Sequence, residues 1–134
     1  TGGVPVGETV LVRGIRVNKS IAEKTEALFA AAEAAGHKLS GSGCRDINQQ
    51  IELRKQHCGL TTYDIYQKPS GQCSPPTAIP GSSMHEKGLA IDFTVNGSTL
   101  RKGDAAFAWM KANAAQYGYF NLPSESWHWS LNGK

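Results

Sequence analysis

The chain has 134 residues, of which 40% are apolar, and its 14 basic and 11 acidic residues give a formal net charge of +3. This length and composition suit one folded domain with its own hydrophobic core. No apolar run approaches the length of a membrane span, and no basic run suggests nucleic-acid binding. The slight positive charge would suit an anionic surface such as a cell wall. Because the chain starts at Thr1 rather than at methionine, we expect a processed chain or a domain excised from a longer one.

The first third of the chain predicts a strand, a helix and a second strand. Residues 9–17 (TVLVRGIRV) alternate and are rich in valine, which favours a strand. Residues 20–23 (SIAE) form a capping box, whose serine should cap a helix that runs to about Ala35, with Gly36 as the stop. Residues 37–45 (HKLSGSGCR) predict a short strand that ends in a glycine-rich bend.

The middle of the chain predicts a helix, a long loop and a strand. The sequence DINQ (46–49) is a plausible helix start, leading to about His57. Residues 59–82 form a long loop, and loops of this length are usually functional or held down by other interactions. Residues 88–95 (GLAIDFTV) alternate well and predict a strand, which the sequence NGS (96–98) ends in a turn.

The last third predicts one more helix and one more strand. Asp104 can cap a helix that ends at Gly118, and residues 126–131 (SWHWSL) predict the final strand. Short strands mixed with segregated helices indicate an α+β fold. There is no internal repeat and no sign of a second domain, so residues 1–134 are predicted to form a single domain.

Three cysteines stand at positions 44, 58 and 73. Cys58 and Cys73 bracket a segment rich in proline, glycine and serine, which has too few apolar repeats to pack well by itself. A disulfide between these two would help to hold the segment, leaving Cys44 free. Such a bond would imply an exported protein. The alternative is three reduced thiols, and the paired-cysteine spacing of a zinc site is absent from the sequence.

The segment GSSMHEKGLAIDF (81–93) places a histidine and an aspartate seven residues apart. The alternation of its strand sends Asp92 to the face opposite the core, where the small Ala90 leaves open space beside the carboxylate. Gly88 allows the chain to bend just before the strand, and the bend can bring His85 back over Asp92. This geometry suits two ligands on one ion. The apolar residues of the strand face the core, namely Leu89, Ile91 and Phe93.

The segment ESWHW (125–129) repeats this pattern near the end of the chain. Trp127 and Trp129 share one face of the predicted strand and can anchor it, while His128 projects from the other face. Two histidines and an aspartate supply three N/O ligands and leave a fourth position for water, which is the open coordination of a catalytic zinc site. Glu125 adds a second carboxylate, and a base in this place can take a proton from water.

These motifs resemble those of the zinc D-Ala-D-Ala carboxypeptidases, the VanY-like branch of the M15 peptidases. Residues 82–93 contain the pattern S-x-H-x-x-G-x-A-x-D, and residues 125–129 contain E-x-W-H. Residues 42–50 (SGCRDINQQ) are similar to the S-G-Y-R-S-x-x-x-Q segment of the family. The three motifs occur in the family's order over residues 40–130. The resemblance implies a small α+β domain with a central antiparallel sheet that carries the metal and helices packed on it.

The resemblance also assigns roles residue by residue. Glu125 becomes the general base, and Arg45 becomes the cation that holds a substrate carbonyl or carboxylate and steadies the oxyanion. A guanidinium suits both tasks on physical grounds. Ser83 and Gln50 match positions that line the substrate site, although Ser83 could equally be a local cap and Gln50 plain helix surface. One zinc ion per chain would be held by three ligands, namely His85, Asp92 and His128.

The sequence departs from the family pattern in three places that should border the substrate groove. Cys44 stands where the family often has tyrosine, and Ser130 stands where many relatives have arginine. The stretch between YGY (117–119) and Glu125 is also short. The resemblance implies a monomeric, secreted or cell-wall-associated bacterial zinc peptidase that acts on peptidoglycan or its peptide precursors. We expect a D-alanyl-D-alanine carboxypeptidase, with an endopeptidase of the same family as the alternative. No nucleic acid and no membrane span within this chain are expected.

Other chemistries are open to some of the same residues. Cys44 and His57 could be a thiol nucleophile and its base, but nothing in the sequence orients them. A serine beside His85 could suggest a serine hydrolase, but the nucleophile turn G-x-S-x-G is absent. The last alternative is a zinc-stabilised cell-wall-binding module without activity. Glu125 argues against it, because a purely structural zinc site needs no base.

Overall fold

Seven strands and four α-helices follow one another along residues 4–134, the part of the chain that the computed structural model describes. The strands are β1 (Thr9–Val12), β2 (Ile15–Asn18), β3 (Leu39–Ser42), β4 (Ala90–Val95), β5 (Ser98–Thr99), β6 (Phe120–Leu122) and β7 (Glu125–Ser130). The helices are α1 (Ala22–Ala34), α2 (Ile47–His57), α3 (Thr62–Tyr66) and α4 (Ala105–Asn113). None of the helices within residues 4–134 has the length and hydropathy that crossing a bilayer requires.

The central element is an antiparallel sheet in the order β3-β4-β7-β6, with β5 paired to the far end of β4. Strands β1 and β2 form a separate two-stranded hairpin. In the central sheet, Asp92 of β4 lies opposite His128 of β7 on one side and Ser42 of β3 on the other. The predicted α+β fold with a central antiparallel sheet is confirmed.

One hydrophobic core lies behind β4 and β7. Ile91 and Phe93 of β4 are almost fully buried, and the Phe93 ring lies 5.6 Å from that of Phe29 on α1. Met110 of α4 and Trp129 of β7 belong to the same cluster. The alternation along β4 therefore works as the sequence predicts, because the core holds one face of the strand and leaves the Asp92 side free for a site.

Residues 9–17 do not form one strand. They form the β1–β2 hairpin, because Arg13 and Gly14 both take the left-handed conformation, with φ of 51° and 81°. Two consecutive residues with positive φ make the tight turn that matches the twist of a two-stranded ribbon. The prediction of a single strand is therefore wrong.

Helix α1 ends as predicted but begins differently. It stops at Ala34, and Gly36 follows with a φ of 90°. At the other end, a 3-10 turn (Lys19–Ile21) precedes the helix, and the Asn18 side chain caps this turn by accepting the backbone N–H of Ser20. The cap position of α1 itself is Ile21, which makes no side-chain capping bond, because Ser20 lies within the turn. The predicted capping box of residues 20–23 is absent.

The start of α2 is confirmed, since Asp46 and Gln49 form a reciprocal capping box. The predicted loop 59–82 is less irregular than expected, because it contains α3, which Thr61 and Asp64 cap in the same reciprocal way. The segment is closed by a disulfide between Cys58 and Cys73, the predicted pair, and Cys44 is a free thiol.

The C-terminal third contains two short strands that the sequence did not reveal, β5 and β6. After α4 a 3-10 turn continues to Tyr117, and Gly118 ends it with a φ of 83°, as predicted. Strand β6 then pairs with β7. Asp104 occupies the cap position of α4, but its carboxylate accepts the backbone N–H of Arg101 instead of one within the helix.

Candidate metal centre

Three side chains from separate parts of the chain converge at one point on the central sheet. His85 lies in a 3-10 turn (Met84–Lys87) that precedes β4, and Asp92 and His128 are cross-strand partners in β4 and β7. His85 Nε2 lies 2.9 Å from Asp92 Oδ1 and 3.2 Å from His128 Nδ1. His128 Nδ1 lies 3.0 Å from the same carboxylate oxygen. The predicted ligand set is therefore brought together in space.

The separations of these donor atoms fit a tetrahedral metal ion. Zinc bonds to imidazole nitrogen and carboxylate oxygen are about 2.0–2.2 Å long, so neighbouring ligand atoms lie roughly 3.3–3.6 Å apart. The observed separations of 2.9, 3.0 and 3.2 Å differ from that range by a few tenths of an ångström. Two nitrogens and one oxygen also form a donor set typical of a catalytic zinc site.

Backbone carbonyls determine which ring nitrogens carry hydrogen. His85 Nδ1 lies 2.8 Å from the Gly43 carbonyl oxygen, and His128 Nε2 lies 2.8 Å from the Lys134 carbonyl oxygen. A carbonyl can only accept, so these two nitrogens must donate. When both rings are neutral, His85 Nε2 and His128 Nδ1 carry no hydrogen. Their lone pairs then face each other and the Asp92 carboxylate. Three acceptors that converge in this way are stabilised by a cation.

The pKa shifts of Asp92 and His128 also indicate that the cluster favours a positive charge. Burial would raise the pKa of Asp92, but hydrogen bonds from His128 and His85 outweigh it and hold the pKa of that carboxyl well below its usual value. Burial would lower the pKa of His128, but the bond to Asp92 outweighs it and raises the pKa of the imidazole. The three side chains thus favour a positive charge between them, which a proton or a metal ion would supply.

Local structure places His85 over the sheet. Ser83 caps the 3-10 turn, since its hydroxyl accepts the backbone N–H of His85 at 3.2 Å. The buried carboxylate of Glu86 accepts two backbone N–H groups in return, from Gly81 and Ser83. Gly88 ends the turn with a φ of 70°, and a Cβ there would lie only 2.8 Å from the Asn18 backbone nitrogen. Ser83 therefore has a structural role besides lining the cavity.

Arg45 is linked by a hydrogen bond to Asp92, one of the candidate metal ligands, and Gln50 is linked to Arg45. Arg45 Nη2 lies 3.3 Å from Asp92 Oδ2, the carboxylate oxygen that faces away from the two histidines. Arg45 Nη1 donates to Gln50 Oε1 at 2.8 Å, and Gln50 Nε2 donates to the Ala78 carbonyl at 2.8 Å. Gln50 is 1% exposed, so it is not plain helix surface. The arrangement orients Asp92 and leaves part of the Arg45 guanidinium for a ligand.

Glu125 lines the same cavity as the three ligand residues. Its side chain is 9% exposed, and burial raises the pKa of the carboxyl group. The Glu125 carboxylate forms no hydrogen bond or ion pair with any side chain or backbone group of residues 4–134, whereas its backbone carbonyl accepts from Asn121 Nδ2 at 2.9 Å. The described residues contain no buried side-chain oxygen without a partner, so the Glu125 carboxylate opens into the cavity, where it can accept a proton as a general base must.

The cavity in front of the cluster has a volume of about 410 Å³ and extends over α2 to the disulfide-closed segment. Sequence reasoning missed several of its walls, including Leu53 and the stretch 75–78, whereas Trp127, which also lines the cavity, lies in the motif of residues 125–129. His57 also lines the cavity, and its Nδ1 lies 2.7 Å from Thr77 Oγ1. Burial lowers the pKa of His57. No local motif marks these residues, because only the folded loop brings them beside the site.

Comparison with known proteins identifies the class to which this fold and site belong. The family model described as VanY, D-alanyl-D-alanine carboxypeptidase, matches residues 14–134. Because the match covers most of the chain, the protein belongs to that family. This confirms the resemblance read from the three motifs.

Two curated relatives are similar over nearly the whole chain. A D-alanyl-D-alanine carboxypeptidase of Enterococcus faecalis is 27% identical over 137 residues, which cover 92% of this chain and 51% of that protein. The putative carboxypeptidase YodJ of Bacillus subtilis is 27% identical over 135 residues, covering 88% of this chain and 47% of that protein. The chain therefore spans about half the length of the curated relatives that it matches.

Solved structures show the same fold. VanYB in complex with D-alanine-D-alanine superposes with a TM-score of 0.70 at 24% identity, covering 96% of this chain and 80% of that one. A mutant of the vancomycin-resistance D,D-pentapeptidase VanY in complex with Zn(II) has a TM-score of 0.69 at 23% identity, covering 96% and 82%. The LD-carboxypeptidase LdcB also scores 0.69, at 22% identity, covering 97% and 70%.

Proposed function

We propose that this domain is a zinc-dependent peptidase that hydrolyses peptidoglycan stem peptides, as a D-alanyl-D-alanine carboxypeptidase. The observation that carries the proposal is the convergence of three acceptor atoms in a cavity that is also lined by Glu125, whose carboxylate has no partner among the described residues. Membership of the VanY family and the D-alanine-D-alanine complex of VanYB support the substrate class. Metal ligands without a nearby free base would fit a structural site equally well.

The ligand residues would be His85, Asp92 and His128, with one zinc ion per chain. Such an ion supplies Lewis acidity to the scissile carbonyl and lowers the pKa of water to around 7 in well-studied sites. Glu125 accepts the proton of the attacking water and passes it to the leaving amine as the C–N bond breaks. The water oxygen ends in the new carboxylate, and the second water proton follows the first to the amine, which leaves as an ammonium group.

Arg45 would bind the terminal carboxylate of the substrate or steady the developing oxyanion, because its guanidinium has more donors than Gln50 and Asp92 occupy. Ser83 and Gln50 would line the pocket for the terminal residue. We also propose that the domain is extracellular or wall-associated and works as a monomer. The Cys58–Cys73 disulfide supports export, since such bonds persist in oxidising compartments.

The proposal is tested by mass spectrometry of defined stem peptides and muropeptides incubated with the zinc-loaded protein. A chelated sample and the Glu125→Gln variant are the controls. Loss of one alanine, in the zinc-loaded sample alone, is the expected result. An internal cut would identify an endopeptidase instead. Zinc binding without cleavage of any substrate would overturn the proposal in favour of a binding module.

A further inference from the structure

A second concavity of about 660 Å³ lies beside the metal ligands on the β3 side of the sheet. Asp92 and Trp127 line both this concavity and the first cavity, so they form the divide between the two. The second concavity is the more open of the two. A chain-like ligand that crosses the metal ligands would therefore leave the first cavity and enter this concavity.

The second concavity has a polar floor formed by neighbouring strands. The register pairs Ser42 with Asp92, Ser40 with Thr94, and Thr94 with Thr99. Residues paired in register project from the same face of a sheet. The face that carries the metal ligand Asp92 thus continues as a row of hydroxyl groups, namely Ser40, Ser42, Thr94 and Thr99.

Charge in this concavity is unbalanced. Arg101 is the only cationic side chain among the described residues that line it, and Asp92 is the only acidic one. Asp92 is already engaged by His85, His128 and Arg45. The Arg101 guanidinium forms no ion pair or side-chain hydrogen bond within residues 4–134. The bond between Arg101 and Asp104 is made by the backbone N–H of Arg101, which donates to the Asp104 carboxylate. The concavity therefore offers one free cation and several hydroxyl donors, which together suit an anionic ligand group.

We propose that the second concavity binds the part of the substrate that precedes the cleaved bond, and that Arg101 recognises a carboxylate on it. This inference rests on the proposed function. A carboxypeptidase holds one residue beyond the cleaved bond, and the first cavity offers Arg45 for the carboxylate of that residue. The rest of the peptide must then extend across Asp92 and Trp127. Arg101 would be a specificity-determining residue rather than a catalytic one.

The first arm of the test compares cleavage of matched peptides. Each pair shares the same cleavable terminal residue and differs only in having a carboxylate or a carboxamide at the first, second or third residue before the cleaved bond. We expect the wild-type protein to prefer the acid at one position by about tenfold in kcat/KM, chiefly through KM. Arg101→Ala should abolish this preference, and Arg101→Lys should restore part of it. Lys102→Ala is the matched control, because Lys102 carries the same charge one residue away and does not line the concavity.

The second arm measures binding without turnover. Calorimetry gives the Kd of the shortened product peptides in their acid and amide forms, for the wild type and the same variants. Equal affinity for both forms, or a preference that survives Arg101→Ala, overturns the inference. A preference that Lys102→Ala removes equally well also overturns it, because the effect would then be diffuse charge. If the acid product binds through Arg101 but no peptide is cleaved, the inference stands and the proposed peptidase function fails.

Discussion

The two sides of the first cavity are held in place by different interactions. On one side, Asp92 and His128 are cross-strand partners in a regular antiparallel ladder. Directly behind them, Ile91 and Trp129 are 0% and 2% exposed and anchor the strands in the core. Ligand positions on this side are therefore set by backbone register and apolar packing, which together tolerate little displacement.

The opposite wall, residues 58–78, contains no strand and only one five-residue helix. Its ends are joined by the disulfide, and Arg54, which is 0% exposed, lies behind it. The Arg54 guanidinium donates to backbone carbonyls of the segment, namely those of Asp64, Ile65, Lys68 and Thr77. Carbonyls outside regular structure need donors when buried, and a single buried arginine provides several at once.

This contrast shows that a ligand cluster on a regular sheet and a wall of irregular structure can be built side by side with different interactions. The two sides meet at Gln50, which bridges the Ala78 carbonyl and Arg45, and Arg45 reaches Asp92. If the two regions act independently, changes in the ligand cluster should lower zinc binding and catalytic rate. Changes in the wall should instead lower the free energy of unfolding.

The largest effect is expected in the ligand cluster. His128→Ala and Asp92→Ala each remove one of the three proposed ligands. Loss of a residue that only hydrogen-bonds to a ligand can already lower metal affinity by up to about 100-fold, so loss of a ligand should lower zinc affinity by more than that. Elemental analysis of dialysed protein measures the zinc stoichiometry. His37→Ala is the control, since His37 lies outside both cavities, with its ring 6.2 Å from that of Trp109. One zinc per chain in the ligand variants would refute the ligand set.

Glu125→Gln keeps the shape of the side chain but removes the base. We expect a folded protein with normal zinc content and a kcat that is lower by about 10²–10⁴-fold, the usual contribution of a positioned acid–base group. Glu52→Gln, an exposed carboxylate on α2, is the matched control. Near-normal turnover in the Glu125 variant would remove this residue from the mechanism.

In the opposite wall, the double variant Cys58→Ser, Cys73→Ser should lose about 3 kcal/mol in the free energy of unfolding, as closure of a 15-residue loop predicts. Urea denaturation measures the loss, and Cys44→Ser is the control for replacing a thiol that is not crosslinked. Zinc stoichiometry should be unchanged. If zinc were lost together with the disulfide, the two regions would not be separable.

Arg45→Ala tests the junction between the two regions. We expect kcat/KM to fall by about 10–100-fold with zinc still bound, because the variant loses a cation at the substrate and an outer partner of Asp92. Arg13→Ala is the control, since Arg13 lines neither cavity and contacts the exposed glutamates Glu26 and Glu33 and the ring of Phe29. If both kinetic constants stay unchanged, Arg45 is a structural residue.

The smallest effect concerns the core behind the sheet. Burial raises the pKa of Tyr119 to about 12 from 10.0, although the hydrogen bond with Thr25 opposes the shift. The Tyr119 hydroxyl therefore loses its proton at a lower pH in the unfolded chain than in the folded one. Its contribution to the free energy of unfolding is complete below about pH 10 and is lost as the pH rises towards 12. The loss should reach about 1.4 kcal/mol at pH 11. Thermal denaturation from pH 9 to 11 measures it, and Tyr119→Phe should weaken the dependence; an equal slope in both proteins would contradict the assignment.

Much of the candidate site could be predicted because its residues lie in short motifs with local physical meaning. The alternation around Asp92 and His128 identifies the face on which each side chain projects, and the Gly88 bend explains how His85 returns to that face. The Asp46 cap of α2 and the Cys58–Cys73 pair were likewise visible in the sequence. Each of these signals depends on a few neighbouring residues, so they can be detected without the fold.

The sequence by itself determined the α+β class, the stops at Gly36 and Gly118 and the set of residues that could bind a metal. Only the tertiary structure decided which atoms of that set face one another, because the tautomers depend on carbonyls of Gly43 and Lys134 from other parts of the chain. It also decided the β1–β2 turn, strand β6, the cavity walls and the concavity at Arg101. The cavity walls and the concavity arise from contacts between segments far apart in sequence, which leave no local pattern to detect.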